Sequence, residues 1–328
     1  MNPYLKKSLF SLFLVFALLA ALLGLTKAYS ALAEINLYFL ILACIFFIIS
    51  VLIWLISWAY LIKKHAKIPY KNLVLAGFAS FYGSITPVQL GADALRSIML
   101  KDSFGVRYSQ SISASMVVKG AKFLILAVAG VLVLLPFIFM PAEGIFSAAL
   151  LSGFLVVLLA SFIFLAPLSR QLGGKVAEIF RRLARVLPFL KALADFFDGY
   201  SSYLQKKGKR DLAVVLALSF LSWVFEFLAL WFSFLSLGVN LEPHSLLIFM
   251  ALVAVLERTP FLPRGIGVVE FVGYQFLAFP ELAAGSPMSV AQIGAVLIVY
   301  DVVRLIVPTL LSICVNILLP KKPLNKRS

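Results

Sequence analysis

Long apolar runs with few polar interruptions dominate the chain. They cover residues 8–26, 36–62, 110–135, 145–167, 211–237 and 290–319. Each approaches or exceeds the roughly 20 residues that a helix needs to cross a hydrocarbon core about 30 Å thick, so the pattern predicts six transmembrane helices. Lys6 and Lys7 precede the first run and Ala31-Leu32-Ala33 follows it, as in a secretory signal. The run is longer than the roughly 7–15 residues of a signal core, however, which favours a retained span.

Two further apolar regions, 73–100 and 244–282, are broken from within, at "SITPVQLGADALRSIML" (84–100) and "TPFLPRGIGVVE" (259–270). Proline has no N–H to continue a helix, so Thr86-Pro87 and Thr259-Pro260 each end an incoming half-helix, and a new one is expected to begin near Gly91 and near Gly267. The fresh start would leave free N–H groups and partial positive charge at membrane depth, a site suited to an anion such as phosphate.

Charge orients these elements. Of the 29 Lys and Arg residues, only Lys27 falls in an external segment when the amino terminus is assigned to the cytoplasm, together with Glu34, Glu143, Glu242 and Glu281. Arg96, Lys119, Lys122, Arg258, Arg264 and Arg304 lie at membrane depth, and all other bases fall in cytoplasmic segments. That is the positive-inside pattern of a multi-pass inner (cell) membrane protein with both termini cytoplasmic. Basic residues flank region 73–100 on both sides, and neither flank of region 244–282 carries Lys or Arg. The first is therefore expected to be a re-entrant hairpin opening to the cytoplasm, and the second one opening to the outside. Two broken hairpins of opposite orientation suggest an inverted repeat.

The expected fold class is all-α, a polytopic integral membrane protein of about six full spans and two re-entrant broken-helix hairpins in one transmembrane domain, 1–328. Residues 168–210 form a cytoplasmic segment in which Val176, Ile179, Phe180, Leu183, Val186 and Leu187 recur at helical spacing among Lys175, Arg181, Arg182 and Arg185. That predicts an amphipathic helix at the interface touching anionic headgroups, with a second short helix from Pro188 to Tyr203. Residues 320–328 are a basic cytoplasmic tail.

Composition agrees, with 62% hydrophobic residues, 13% charged and a mean hydropathy of +1.05. The net charge of +15 follows the membrane asymmetry, so nucleic acid is not an expected partner. The two cysteines, Cys44 and Cys314, lie inside predicted spans and indicate no disulfide framework, and the two histidines, His65 and His244, are far apart. No metal-ligand spacing, nucleotide-binding loop or nucleophile elbow occurs, so no metal or other cofactor is expected.

Candidate chemistry resides in charges at membrane depth, each costing about 2.5–3.5 kcal/mol on insertion scales. Asp93, Arg96, Lys119, Lys122, Glu226, Glu257, Arg258, Arg264, Glu270, Asp301 and Arg304 make up this set. The i,i+3 pairs Asp93/Arg96 and Asp301/Arg304 can be structural, and Lys119 and Lys122 can snorkel toward a nearby cytoplasmic end. Glu226 has no base within a helical turn and needs a cross-helix partner such as Arg264 or Arg304, or a proton. Arg96, Arg258, Arg264 and Arg304 are candidate phosphate ligands; Asp93, Glu226, Glu270 and Asp301 are candidate acids for ion coupling or for binding a headgroup amine.

"SITPVQLGADALRSIMLKDSFGV" resembles the first motif, Pro-x-x-x-Gly-(Gly/Ala)-Asp-x-x-Arg, of the lysylphosphatidylglycerol synthase transmembrane region, a family that includes UPF0104-type membrane proteins. "LPRGIGVVEFVGYQFL" resembles its second motif, Gly-x-Gly-x-x-Glu. The matching positions are Pro87, Gly91, Asp93, Arg96, Gly265, Gly267 and Glu270. The resemblance implies a flippase-like module that moves phospholipids or lipid-linked headgroups between leaflets. The family's soluble aminoacyl-transferase domain has no counterpart before Ser328, so synthase activity is not expected, and Lys119-Gly120 stand where relatives often carry an acid–arginine pair.

The expected function is translocation of a phospholipid or isoprenoid-phosphate-linked headgroup without ATP, not enzymatic. An intramembrane enzyme acting on a lipid phosphate and a non-transporting scaffold subunit are the alternatives, and a homo-oligomer stays open.

Overall fold

The computed structural model describes residues 3–63, 66, 68–85, 91–138, 158–159, 162, 165–166, 170–183, 185, 200, 203, 208–257, 263–278 and 288–318. Most of the predicted span 145–167, the tail, Thr86, Pro87, Arg258, Thr259 and Pro260 lie outside them, as do Val186, Leu187 and the side chain of Phe180. Every regular element among the described residues is helical. They are α1 (Pro3–Thr26), α2 (Tyr29–Ala33), α3 (Leu37–Lys63), α4 (Tyr70–Ala79), α5 (Gly91–Phe104), α6 (Tyr108–Ile138) and α7 (Arg170–Leu183). After these come α8 (Lys209–Leu235), α9 (Pro243–Leu256), α10 (Val268–Ala278), α11 (Val290–Asp301) and α12 (Val307–Leu318). A π-helical turn, Val302–Ile306, joins α11 to α12 in one span. Among the described residues, five helices are long and apolar enough to cross a membrane: α1, α3, α6, α8 and the α11–α12 span. This is an all-α polytopic membrane protein.

α3 and α8 form an antiparallel pair whose register can be read from three contacts. Asn36 N donates to the Ser236 carbonyl at 2.7 Å at one end, Ser50 and Ser222 hydroxyls meet at 3.0 Å midway, and Tyr60 Oη donates to Asp211 Oδ1 at 2.9 Å at the other end. Small serines at the midpoint let the helices approach and bond where no water competes. The pair defines two ends of the molecule. The Tyr60/Asp211 end carries Lys63, Lys71, Lys101, Arg107, Lys209 and Arg210.

Both broken regions return to the end they started from. The finish of α3 (Trp58, Leu61, Ile62), the start of α4 (Leu73), the finish of α5 (Leu100) and the early part of α6 (Ala114, Val117) share one buried cluster at the basic end. At the opposite end Leu246, near the start of α9, shares a buried cluster with Phe234 near the finish of α8 and Phe276 near the finish of α10, and Phe249, midway along α9, meets their rings at 5.7 and 5.8 Å. The α4–α5 and α9–α10 pairs are thus hairpins with opposite openings, and their tips meet inside the bundle, with the Arg264 guanidinium 5.7 Å from the centre of the Phe81 ring. A glycine permits each tight return. A Cβ on Gly83 would fall 2.8 Å from the Gly91 carbonyl carbon, and one on Gly265, whose φ is +70°, would fall 2.4 Å from the Leu256 oxygen.

A helix that ends at membrane depth leaves carbonyls that water cannot reach. At the end of α4, Ser80 Oγ donates to Gly77 O at 2.7 Å, Ser312 Oγ to Phe78 O at 2.7 Å and Asn316 Nδ2 to Ala79 O at 3.4 Å. Ser312 Oγ also accepts from Tyr82 N at 2.8 Å. Two of these three caps come from the last span, the most enclosed of the five.

The predicted amphipathic helix is α7, and its apolar side is divided. Val176 and Ala177 pack into the cluster at the basic end, while Leu172, Ile179 and Leu183 face outward beside Lys175, Arg181 and Arg182.

The caps set the first expectation. Ser312→Ala should lower the unfolding stability of the detergent-solubilised protein by about 1–3 kcal/mol for each buried group left without its partner. Ser30→Ala, at an exposed hydroxyl, should leave the transition unchanged.

Candidate functional site: a charged cavity between the hairpin tips

Ten of the charges at membrane depth are among the described residues, five bases and five acids, and they gather around the hairpin tips. Ser50 and Ser222 stand midway along helices of 27 residues each, and Glu226 is one turn from Ser222, so the cluster sits near mid-depth.

The first hairpin contributes Asp93, in the first turn of α5, and Arg96 one turn later. Arg96 is fully buried, its guanidinium 4.6 Å from the centre of the Trp54 ring and 4.7 Å from that of Trp58. Arg96 Nε donates to Ser80 Oγ and Nη1 to Ser115 Oγ, both at 3.4 Å, and Nη1 lies 3.6 Å from Asp93 Oδ1. Aromatic faces and hydroxyls thereby replace water around the cation. The other Asp93 oxygen accepts from Lys119 of α6.

The second hairpin and the last span build a tighter network around Arg304, also fully buried. Its Nε donates to Asp301 Oδ1 at 2.7 Å, Nη1 to Glu257 Oε1 at 2.7 Å and Nη2 to Glu270 Oε1 at 3.0 Å. Glu270 Oε2 accepts the backbone N–H of Gly267. Pro308, four residues beyond Arg304, has no N–H to return to the Arg304 carbonyl, and that oxygen accepts Arg264 Nη1 at 2.9 Å. Arg264 Nη2 lies 3.5 Å from Glu257 Oε2. The Arg264 backbone is left-handed, with φ 48° and ψ 37°, a strained conformation for a side-chain-bearing residue. The third constellation is a single pair, Lys122 Nζ to Glu226 Oε2 at 2.7 Å, linking α6 to α8.

These groups enclose a cavity of about 110 Å³ lined by Asp93, Lys119, Lys122, Glu226, Glu257 and Arg264, with Ser50, Trp54, Phe81 and Ser84 among its remaining walls. A smaller cavity of about 30 Å³ shares Lys122, Glu226 and Glu257 and extends to Trp223, Met250 and Tyr300. Polar space at mid-depth walled by paired charges can hold water or a charged group that would not otherwise enter hydrocarbon.

Several sequence-based expectations change here. Arg304 and Arg96 are enclosed by their own partners and do not line the cavity, nor do Glu270 and Asp301; Arg264 does. The α10 start is not an open anion site, because Glu270 occupies the Gly267 N–H. Glu226 pairs with Lys122 rather than with an arginine. Lys119 and Lys122 do not snorkel. Lys119 lies eleven residues into α6, about 16 Å at 1.5 Å per residue, and both lysines turn inward to carboxylates. That depth, with the i,i+3 spacing of the two lysines, was the available signal. Ser80, Ser115, Trp54 and Trp58 gave none, because they become visible only as the coat of Arg96.

No solved structure matches the chain. A model of the lysylphosphatidylglycerol synthase transmembrane region matches residues 7–319. A UPF0104 membrane protein of Methanocaldococcus jannaschii is 28% identical, covering 96% of this chain and 94% of the relative. Another from Pyrococcus horikoshii is 26% identical over 76% of this chain and 79% of the relative, and one from Methanothermobacter thermautotrophicus is 23% identical over 70% and 71%. The chain belongs to the family of the lysylphosphatidylglycerol synthase transmembrane region.

Proposed function

We propose that the protein moves phosphate-bearing lipid headgroups, of phospholipids or of isoprenoid-phosphate-linked lipids, between the two leaflets without ATP. The carrying observation is the charged cavity at mid-depth, set between two hairpins that open to opposite ends of the molecule. A headgroup that must cross hydrocarbon needs a polar stopping place there, and hairpins whose tips meet at such a place are suited to exposing it alternately to each side. Lys119, Lys122 and Arg264 are the cations that face the cavity and can exchange a carboxylate for a phosphate. Arg96 and Arg304, with their carboxylates, hold the tips in place. The basic end faces the cytoplasm in this reading, where α7 lies in the interface with Leu172, Ile179 and Leu183 toward acyl chains and its cations toward anionic headgroups.

Two outcomes follow. Protein purified in mild detergent should retain phosphate-bearing lipid, measured by mass spectrometry, above its share of the source membrane. The double variant Lys119→Gln, Arg264→Gln should lose that excess while still folding, as judged by a cooperative unfolding transition. Equal lipid content in the two proteins would contradict a phosphate site in the cavity. Arg304→Ala, by contrast, removes the cation of buried Asp301 and Glu270 and leaves Glu257 with Arg264 alone among the described residues, and should cost about 3–5 kcal/mol of stability, read from its detergent unfolding curve.

A further inference from the structure

The three cations facing the cavity are not equivalent once their carboxylates are followed outward. Lys119 pairs with Asp93, which also has Arg96 as an ion-pair partner at 3.6 Å. Arg264 approaches Glu257, which is also held by Arg304 at 2.7 Å. Either cation can turn to a bound anion and leave a carboxylate that keeps another guanidinium. Lys122 differs, because Glu226 has no second cation in ion-pair contact among the described residues. An anion that draws Lys122 away leaves Glu226 as an uncompensated carboxylate at mid-depth, which is strongly unfavourable. A proton removes that cost.

Among the described residues, the other cations around Glu226 are already paired with carboxylates of their own. From α6 it faces Lys122, with Lys119 further along the same cavity wall; from α5, Asp93; from α9, Glu257. α11 presents Tyr300 in the smaller cavity, and α3 contributes Ser50 and Trp54, neither of them titratable. Arg264 lines the larger cavity from the second hairpin but is engaged with the Arg304 carbonyl and Glu257. A released Glu226 thus shares the same space with the carboxylates of Glu257 and Asp93.

We infer that Glu226 binds one proton for each anionic headgroup that engages Lys122, so that an anionic lipid and a proton move together. The inference rests on the lipid-translocation reading. The proton comes from water on the side to which the cavity is open and returns to water when Lys122 swings back to Glu226, so anion and proton cross with no net charge. A zwitterionic headgroup brings its own ammonium to Glu226 and needs no proton.

The test uses the full-length protein in phosphatidylcholine vesicles carrying a trace of fluorescent phosphatidylglycerol or fluorescent phosphatidylethanolamine, with translocation read by dithionite bleaching across a pH series. Wild-type movement of phosphatidylglycerol should fall about tenfold per pH unit above its titration midpoint, movement of phosphatidylethanolamine should stay level, and Glu226→Gln should flatten the phosphatidylglycerol profile. Lys122→Gln, a second variant in case the first does not fold, removes the cation that the headgroup engages and should abolish the pH-dependent component of phosphatidylglycerol movement. Phosphatidylglycerol movement that ignores pH in the wild type, or that keeps its slope in a folded variant, overturns proton coupling and leaves lipid translocation standing. Folded wild-type protein that moves neither lipid overturns both.

Discussion

A helix that ends inside a bilayer strands up to four carbonyls or four N–H groups where water cannot reach them, and this molecule is organised around meeting that demand. It contains two such breaks, and one helix supports both. The last span gives Ser312 and Asn316 to the carbonyls at the end of α4, and Arg304 to the carboxylates of the second hairpin. Its π-turn and Pro308 open its own backbone as well, so that Arg264 of the second hairpin bonds back to it. The bundle's most enclosed helix is thereby a spine on which two half-membrane hairpins of opposite orientation are hung.

Charge follows the same logic at a higher energetic stake. A buried ion pair offsets its desolvation only when the geometry is good and every donor is used, and Arg304 comes close to that limit, with three carboxylates on one planar guanidinium. Arg96 is coated differently, with two tryptophan faces, two hydroxyls and one carboxylate around it and Nη2 left without a hydrogen bond. These arrangements fix the hairpin tips. The lysine pairs beside them are half-open to the cavity and held by flexible stems, a difference that separates support from chemistry within one cluster.

Much of this was legible in the sequence. Apolar run length gave the five spans found among the described residues, and the distribution of Lys and Arg gave the opposite orientation of the two hairpins, because a periodic or compositional signal survives without knowledge of tertiary contacts. The i,i+3 pairs Asp93/Arg96 and Asp301/Arg304 were readable because helix geometry alone brings them together. What was not legible depended on helices distant in sequence. Lys122 and Glu226 are 104 residues apart, Arg304 and Glu257 are 47, and Ser312 caps a carbonyl 234 residues earlier. An expectation that Arg304 would hold substrate could not anticipate that three acids would close around it. Similarly, a free helix start near Gly267 could not be told from one that Glu270 caps.

The hairpins can be tested by their sidedness. In a background lacking Cys44 and Cys314, single cysteines at Lys71, Asp102, Arg210, Glu242 and Ser289 would be challenged with a membrane-impermeant thiol reagent from each side of sealed vesicles. Re-entrant geometry requires Lys71, Asp102 and Arg210 to label from one side, and Glu242 and Ser289 from the other. Labelling of Lys71 and Asp102 from opposite sides would mean that the α4–α5 segment crosses the membrane, and the shared mid-depth cavity could not then be built as described.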